Sequence, residues 1–194
     1  MSKILTRQNL LANKTFFTQE IKNGKVFIYP TDTLHGLGVN AQIAESIEKI
    51  STLKKRSNKT FLVIVPSLKW ILENCVIANE KIENLLTEKL PGPFSFILKL
   101  KNPKAINPSL VRSDGTIGVR LPANWFSEII TESGIPLVST SINYAGEPSA
   151  KCLEDIPQEI LDSVDYVIWD KTSSTGNAST IIDVTSGTPI ILRK

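Results

Sequence analysis

Residues 25–38 read KVFIYPTDTLHGLG: an apolar run that halts at Pro30, then two threonines, an aspartate, a histidine and two glycines. A short apolar run bounded by turn formers reads as a buried strand. Pro30 has no N–H to add to a ladder and marks its end. A strand that only filled a core has no use for the hydroxyls and glycines after Pro30. Small hydroxyls and glycines let a polar ligand come close to the backbone. The expectation is therefore a strand over Lys25–Pro30 and then a loop. In that loop the hydroxyls of Thr31 and Thr33 and the glycines Gly36 and Gly38 are expected where something polar approaches the backbone. The plainer alternative is that the two glycines make a turn.

The same reading extends along the chain. TRQNLLANKTFFTQEIKNG (6–24) has apolar residues at roughly helical spacing and stops at Asn23-Gly24. AQIAESIEKISTLKK (41–55) puts Ile43, Ile47, Ile50 and Leu53 on one helical face. Residues 67–75, 79–90, 124–133 (with Gly134 beyond its end) and 155–164 read as further helices. FLVIV (61–65), FSFILKLK (94–101), TIGVRLP (116–122), IPLVSTS (135–141) and YVIWD (166–170) read as strands. STIIDVT and PIILRK form a hairpin around SGT. Helices and strands mixed along the whole length imply an α/β or α+β fold with helices packed on a sheet. The last strands have no helices between them, so the sheet is expected to be mixed.

Composition narrows the function. The chain has 194 residues, 41% of them apolar, with no internal repeat and no linker able to divide it, so one domain over residues 1–194 is expected. Its apolar runs are far too short to span a membrane, and no signal peptide is evident at the start. Two distant cysteines fit a reducing, cytoplasmic setting, and a single histidine excludes a His-rich zinc site. A net charge of +3 tolerates anionic ligands without demanding them.

Polar, chemically capable residues gather after the strands, where open α/β sheets bind ligands. They include TDTLHGLG, KKRSNK, LPGPFS, STSINYAGEPS, GNASTIID and Arg193. The nucleophile elbow, the P-loop and the dinucleotide fingerprint are all absent from the sequence. Hydroxyls, amides and cations suit phosphate and carboxylate, and their strength is positioning and charge neutralisation. Taken singly, each segment also has a structural explanation. KKR (54–56) can end a helix, STSIN can end a strand, and Trp70, Trp125, Trp169 and Cys75 can fill a core.

In this order the segments resemble the YrdC-like family over about Phe16–Arg193. YPTDTLHGLG is similar to PTDTxYGLG, and KKRSNKTFLVIV to a KxRP segment. LPGPFSFIL is similar to PGPxT, TIGVRLP to GVRxP, STSINYAGEPS to a TSAN–SG–PS segment, and ASTIID to STIVD. The resemblance implies a twisted open mixed sheet around a large cationic cleft. It implies an enzyme, a nucleotidyltransferase that turns L-threonine, bicarbonate or CO2 and ATP into threonylcarbamoyl-adenylate and pyrophosphate. Mg²⁺ would come with the ATP, held mainly by its phosphates. A separate transferase complex would then use the product on tRNA beside the anticodon.

Residue by residue, the resemblance implies that Lys54, Arg56, Ser141 and Asn143 serve the triphosphate and catalysis. Thr31, Arg120 and Ser179 would contact L-threonine. Thr60, Thr116, Ser139, Ser149 and Arg193 would surround the ATP. This chain departs from the pattern at His35, where the family has Tyr, and at Ser57 and Phe61, where it has Pro. Two other readings stay open: a non-catalytic RNA-binding or ribosome-maturation protein of the same fold, and a carbamoyl-handling domain like that of hydrogenase maturation factors.

Overall fold

A computed structural model describes residues 3–55, 61–144, 147–170 and 175–194. Its strands are β1 (Lys3–Leu5), β2 (Phe27–Tyr29), β3 (Gly36–Asn40), β4 (Leu62–Ile64), β5 (Phe94–Lys99), β6 (Thr116–Arg120), β7 (Leu137–Ser141), β8 (Tyr166–Ile168), β9 (Thr180–Asp183) and β10 (Ile190–Arg193). They form one mixed sheet in the order β1-β8-β2-β3-β7-β4-β6-β5-β9-β10. The helices are α1 (Arg7–Ala12), α2 (Lys14–Lys22), α3 (Ala44–Leu53), α4 (Leu68–Asn74), α5 (Glu80–Lys89), α6 (Phe126–Ser133) and α7 (Gln158–Ser163).

Side-chain alternation sorts the central strands onto two faces. In β3, Leu37 and Val39 point to one side and Gly36 and Gly38 to the other. Ile117 and Val119 of β6, Phe96 and Leu98 of β5, and Val138 of β7 join Leu37 in the larger core. Ile47 and Ile50 of α3, Ile71 of α4, Ile82 and Leu86 of α5 and Ile160 of α7 cover that side. On the opposite face Leu10, Phe17, Ile21, Phe126, Ile129 and Ile130 of α1, α2 and α6 pack on Phe27, Tyr29, Ile64, Leu137, Tyr166 and Ile168. Past this smaller core the same face carries Gly36, Ser139, Ser141, Leu62, Gly118, Ser95 and Ile97, in register across five neighbouring strands. Its glycines and serines leave Leu62 and Ile97 too little apolar company to hold a helix, and this part of the face is the floor of a cleft.

Several expectations meet the structure differently. The N-terminal helix is two helices, because Asn13 leaves helical geometry (φ −128°, ψ 36°) between α1 and α2. β1 is an additional strand without a clear signal in the sequence; it pairs in parallel with β8. GLGVN is a strand, where the sequence reads as a loop. It is held on both sides, antiparallel to β2 and to β7, and two ladders outweigh the poor strand preference of glycine. The C-terminal hairpin of β9 and β10 and the mixed sheet are found as expected.

Candidate active site

The two glycines of β3 admit an aromatic ring. A Cβ on Gly38 would lie 2.6 Å from Tyr29 Cε1 and 2.7 Å from the Val138 carbonyl oxygen; one on Gly36 would lie 3.0 Å from Tyr29 Cζ. The Tyr29 ring lies over both and stacks on Phe126 at 5.0 Å. Gly36 thus thins the wall for Tyr29 first, although it also lines the cleft. Burial holds the Tyr29 phenol far above its ordinary pKa, and Ser139 beside it pulls the other way.

The loop after β2 folds back on itself. Thr31 Oγ1 donates to the Leu34 carbonyl at 2.6 Å, accepts from the Thr33 N–H at 3.1 Å, and lies 3.0 Å from Thr33 Oγ1. Both threonines are buried. Asp32 accepts from Arg120 Nη2 and, at 3.1 Å, from the Ala123 N–H. Asn124 Nδ2 donates to the Pro30 carbonyl at 2.6 Å. These bonds tie the loop to the end of β6. Arg120 is 7% exposed, and its Nε has no hydrogen-bond partner among the described residues. Burial lowers the Arg120 pKa, and the Asp32 carboxylate opposes that fall.

His35 forms part of the wall. Its ring stacks on Trp169 at 3.8 Å and 8°, and its Nε2 accepts from the Asp170 N–H at 3.2 Å. That bond places the ring proton on Nδ1 in the neutral form. Burial drives the His35 pKa down to about 4.

Across the floor lies the segment after β7. Lys54 closes α3 and is 3% exposed. Its Nζ donates to the Ser141 carbonyl and to Asn143 Oδ1, each at 2.6 Å, and to the Asn143 carbonyl. Ser141 Oγ donates to Asn143 Oδ1 at 2.5 Å, and Asn143 Nδ2 donates to the Glu147 carbonyl. Lys54 thus directs its protons at the Ser141–Asn143 loop. On the far side Ser95 and Ser179 share a buried hydroxyl contact of 2.8 Å. Arg193 donates through Nε and Nη2 to the Ser179 carbonyl at 3.2 and 2.8 Å.

These parts enclose a cleft of about 440 Å³. Of the residues expected at the site, Ser139, Ser141, Asn143, Ser149, Ser179 and Arg193 line it together. Thr31 and Lys54 stand behind lining residues, each bonded to one of them. Arg120 lies beside Ser95 in register, on the floor's face. Thr116 is buried with its hydroxyl donated to Asp114 at 2.7 Å and is not among the lining residues. Arg56 and Thr60 lie outside the described residues. Ser149 Oγ is buried without a partner among the described residues, an unmet group facing a polar cleft. Ser95 and Glu147 fall inside LPGPFS and STSINYAGEPS, segments the sequence marks for ligand binding, although neither residue stands out within them. Arg112 lines the cleft from outside those segments and carried no signal in the sequence.

A family model named Sua5_yciO_yrdC, described as Telomere recombination, matches residues 19–194. The chain belongs to the Sua5/YciO/YrdC family. A family protein of Methanocaldococcus jannaschii is 35% identical over 180 residues, 92% of this chain and 84% of its own length. A relative from Idiomarina loihiensis, named threonylcarbamoyl-AMP synthase, is 30% identical over 168 residues, 84% of this chain and 88% of its own. Among solved family structures, that of Pyrococcus abyssi Sua5 complexed with L-threonine superposes with a TM-score of 0.85 at 23% identity. The match takes in all of this chain but 57% of that one, so the chain spans little more than half of the longer Sua5 form. The chain thus has the Sua5/YciO/YrdC fold, with the mixed sheet and flanking helices expected.

Proposed function

We propose that this chain is a threonylcarbamoyl-AMP synthase, a nucleotidyltransferase acting on L-threonine, bicarbonate or CO2, and ATP. The observation that carries the reading is convergence. Ser139, Ser141, Asn143, Ser149, Ser179 and Arg193 come from segments scattered over 55 positions and meet on one cleft. The names of the relatives support the same reading.

The chemistry asks the protein for placement and charge. The neutral amine of threonine attacks CO2 and, on losing a proton to solvent, gives a carbamate. A carbamate oxygen then attacks the α-phosphorus, and pyrophosphate leaves with the electrons of the broken P–O bond. No covalent enzyme intermediate is needed. Arg120, oriented by Asp32, receives the threonine carboxylate on the nitrogens that Asp32 does not use. Ser179, oriented by Ser95 and Arg193, closes that end. Lys54 and Ser141 hold Asn143, whose second amide N–H is left for the phosphates; Ser141 adds its hydroxyl by exchanging its bond to Asn143 Oδ1 for one to the ligand, and Arg56 adds a planar cation. Fixed donors in a recessed site act on the charge that develops as pyrophosphate departs. Mg²⁺ accompanies the nucleotide, since it keeps most of its waters and needs few protein ligands. A cytoplasmic setting, with tRNA as the destination of the product through a separate transferase, completes the proposal. Among the described residues no helix is long and apolar enough to cross a membrane.

The test is pyrophosphate release from ATP by the purified chain, with L-threonine and bicarbonate each supplied or withheld. Dependence on both is the expected result. Release that ignores threonine, or a salt-sensitive RNA complex with no ATP consumption, sinks the reading.

A further inference from the structure

We propose that Arg112 is a nucleotide-binding residue of this cleft, and that Thr116 serves by holding the turn that presents it. The inference rests on the nucleotide reading of the site and adds a cation to it. In the register of the sheet, Ser139 of β7 faces Leu62 of β4, and Leu62 faces Gly118 of β6. Two residues further along, at the same end of their strands and on the same face, stand Ser141 and Thr116. They are two strand spacings apart, about 10 Å. Whatever meets Ser141 and Asn143 on one side therefore meets the Thr116 neighbourhood on the other.

Thr116 itself has little to give. It is 3% exposed, and its hydroxyl and its N–H both donate to Asp114 Oδ1, at 2.7 and 3.0 Å. This closes the turn Arg112–Gly115, in which the Gly115 N–H donates to the Arg112 carbonyl at 2.9 Å and Gly115 takes φ +79°. The Arg112 N–H donates to the Thr116 carbonyl at 2.9 Å, which fixes where its side chain leaves the backbone. That side chain lines the cleft. Its one side-chain hydrogen bond among the described residues is a long one, 3.5 Å from Nη1 to Thr116 Oγ1, and no ion pair engages it there. Arg120, by contrast, is committed to Asp32. The Asp114 carboxylate feels the Arg112 charge but is turned to Thr116, and no salt bridge among the described residues holds the guanidinium. A guanidinium so placed in a recessed polar cleft, across from the Ser141–Asn143 loop, is suited to the planar, bidentate capture of a phosphate. The orphaned Ser149 hydroxyl in the same wall marks a further group awaiting an oxygen or donor from a ligand.

The experiment is calorimetric titration of the full chain and its variants with ATP, AMP and L-threonine separately. Arg112→Ala should weaken ATP binding by about tenfold or more, AMP by clearly less, and leave L-threonine affinity within about twofold. Arg112→Lys, which keeps the charge and loses the fork, should recover part of the loss. A matched thermal melt for both variants excludes unfolding. ATP affinity unchanged in Arg112→Ala overturns the inference alone, as does an equal loss for ATP and L-threonine. A parent chain that binds no millimolar ATP overturns the nucleotide reading and this inference with it.

Discussion

Lys54→Met should loosen the Ser141–Asn143 loop and lower the stability of the whole chain. In the resemblance Lys54 serves the triphosphate; in the structure its ammonium is buried against three oxygens of the loop. Methionine matches its length, so little cavity forms, and the loss is almost wholly in hydrogen bonding. A bond from a charged donor contributes roughly 1.5–3 kcal/mol, and the three share one donor and are not additive. Ser141 and Asn143 are partly exposed, so water will satisfy some of the abandoned carbonyls. The expected cost is therefore about 3–4 kcal/mol in total. For a chain of this size each kcal/mol lowers Tm by roughly 2–4 °C, which gives a fall of about 10 °C. Thermal and urea unfolding followed by circular dichroism read the stability, and pyrophosphate release read alongside gives the activity. A variant that melts within about 2 °C of the parent, yet loses more than about tenfold in turnover, refutes the loop-clamp reasoning. Lys54 would then act on the nucleotide directly.

Four further outcomes are expected. Gly38→Ala forces a methyl against the Val138 carbonyl, which belongs to a paired strand and cannot yield, so a loss of about 1–3 kcal/mol in urea unfolding is expected, and parent-like stability would show that Tyr29 and β7 can shift. Asp32→Asn keeps an acceptor for the Ala123 N–H but strands a buried Arg120; a cost of about 3–5 kcal/mol is expected, and a double-mutant cycle with Arg120→Met should return much of it. His35 has a folded pKa near 4, below its unfolded value, so its contribution to stability is complete above the unfolded pKa of about 6.5 and is lost as pH falls toward 4; melts between pH 7.5 and 4 should steepen downward in the parent and less in His35→Phe, and parallel curves would remove His35 as the cause. Arg56→Ala should keep the parental melting temperature and lose about a hundredfold in pyrophosphate release, and undiminished turnover would take Arg56 out of the site.

The amino-acid order alone carried the local decisions. TIGVR and FSFIL read as strands, and within those strands the period of two sets Ile117, Val119, Phe96 and Leu98 apart from Thr116, Gly118, Arg120, Ser95 and Ile97. The spacing of Ile47 and Ile50 fixed the buried side of α3, and six short segments in their order pointed to the family before any geometry was known. Tertiary structure alone decided the rest, because each remaining question concerned partners far apart in the chain. GLGVN is a strand only because β2 and β7 lie on either side of it, and its glycines are required by the Tyr29 ring. A lysine or an arginine carries the same local signal whether it meets phosphate or protein. Only the fold places Lys54 against Asn143, Arg120 against Asp32 and Arg112 on an open wall. Charge and propensity are properties of a residue, whereas a site depends on which residues the sheet brings together.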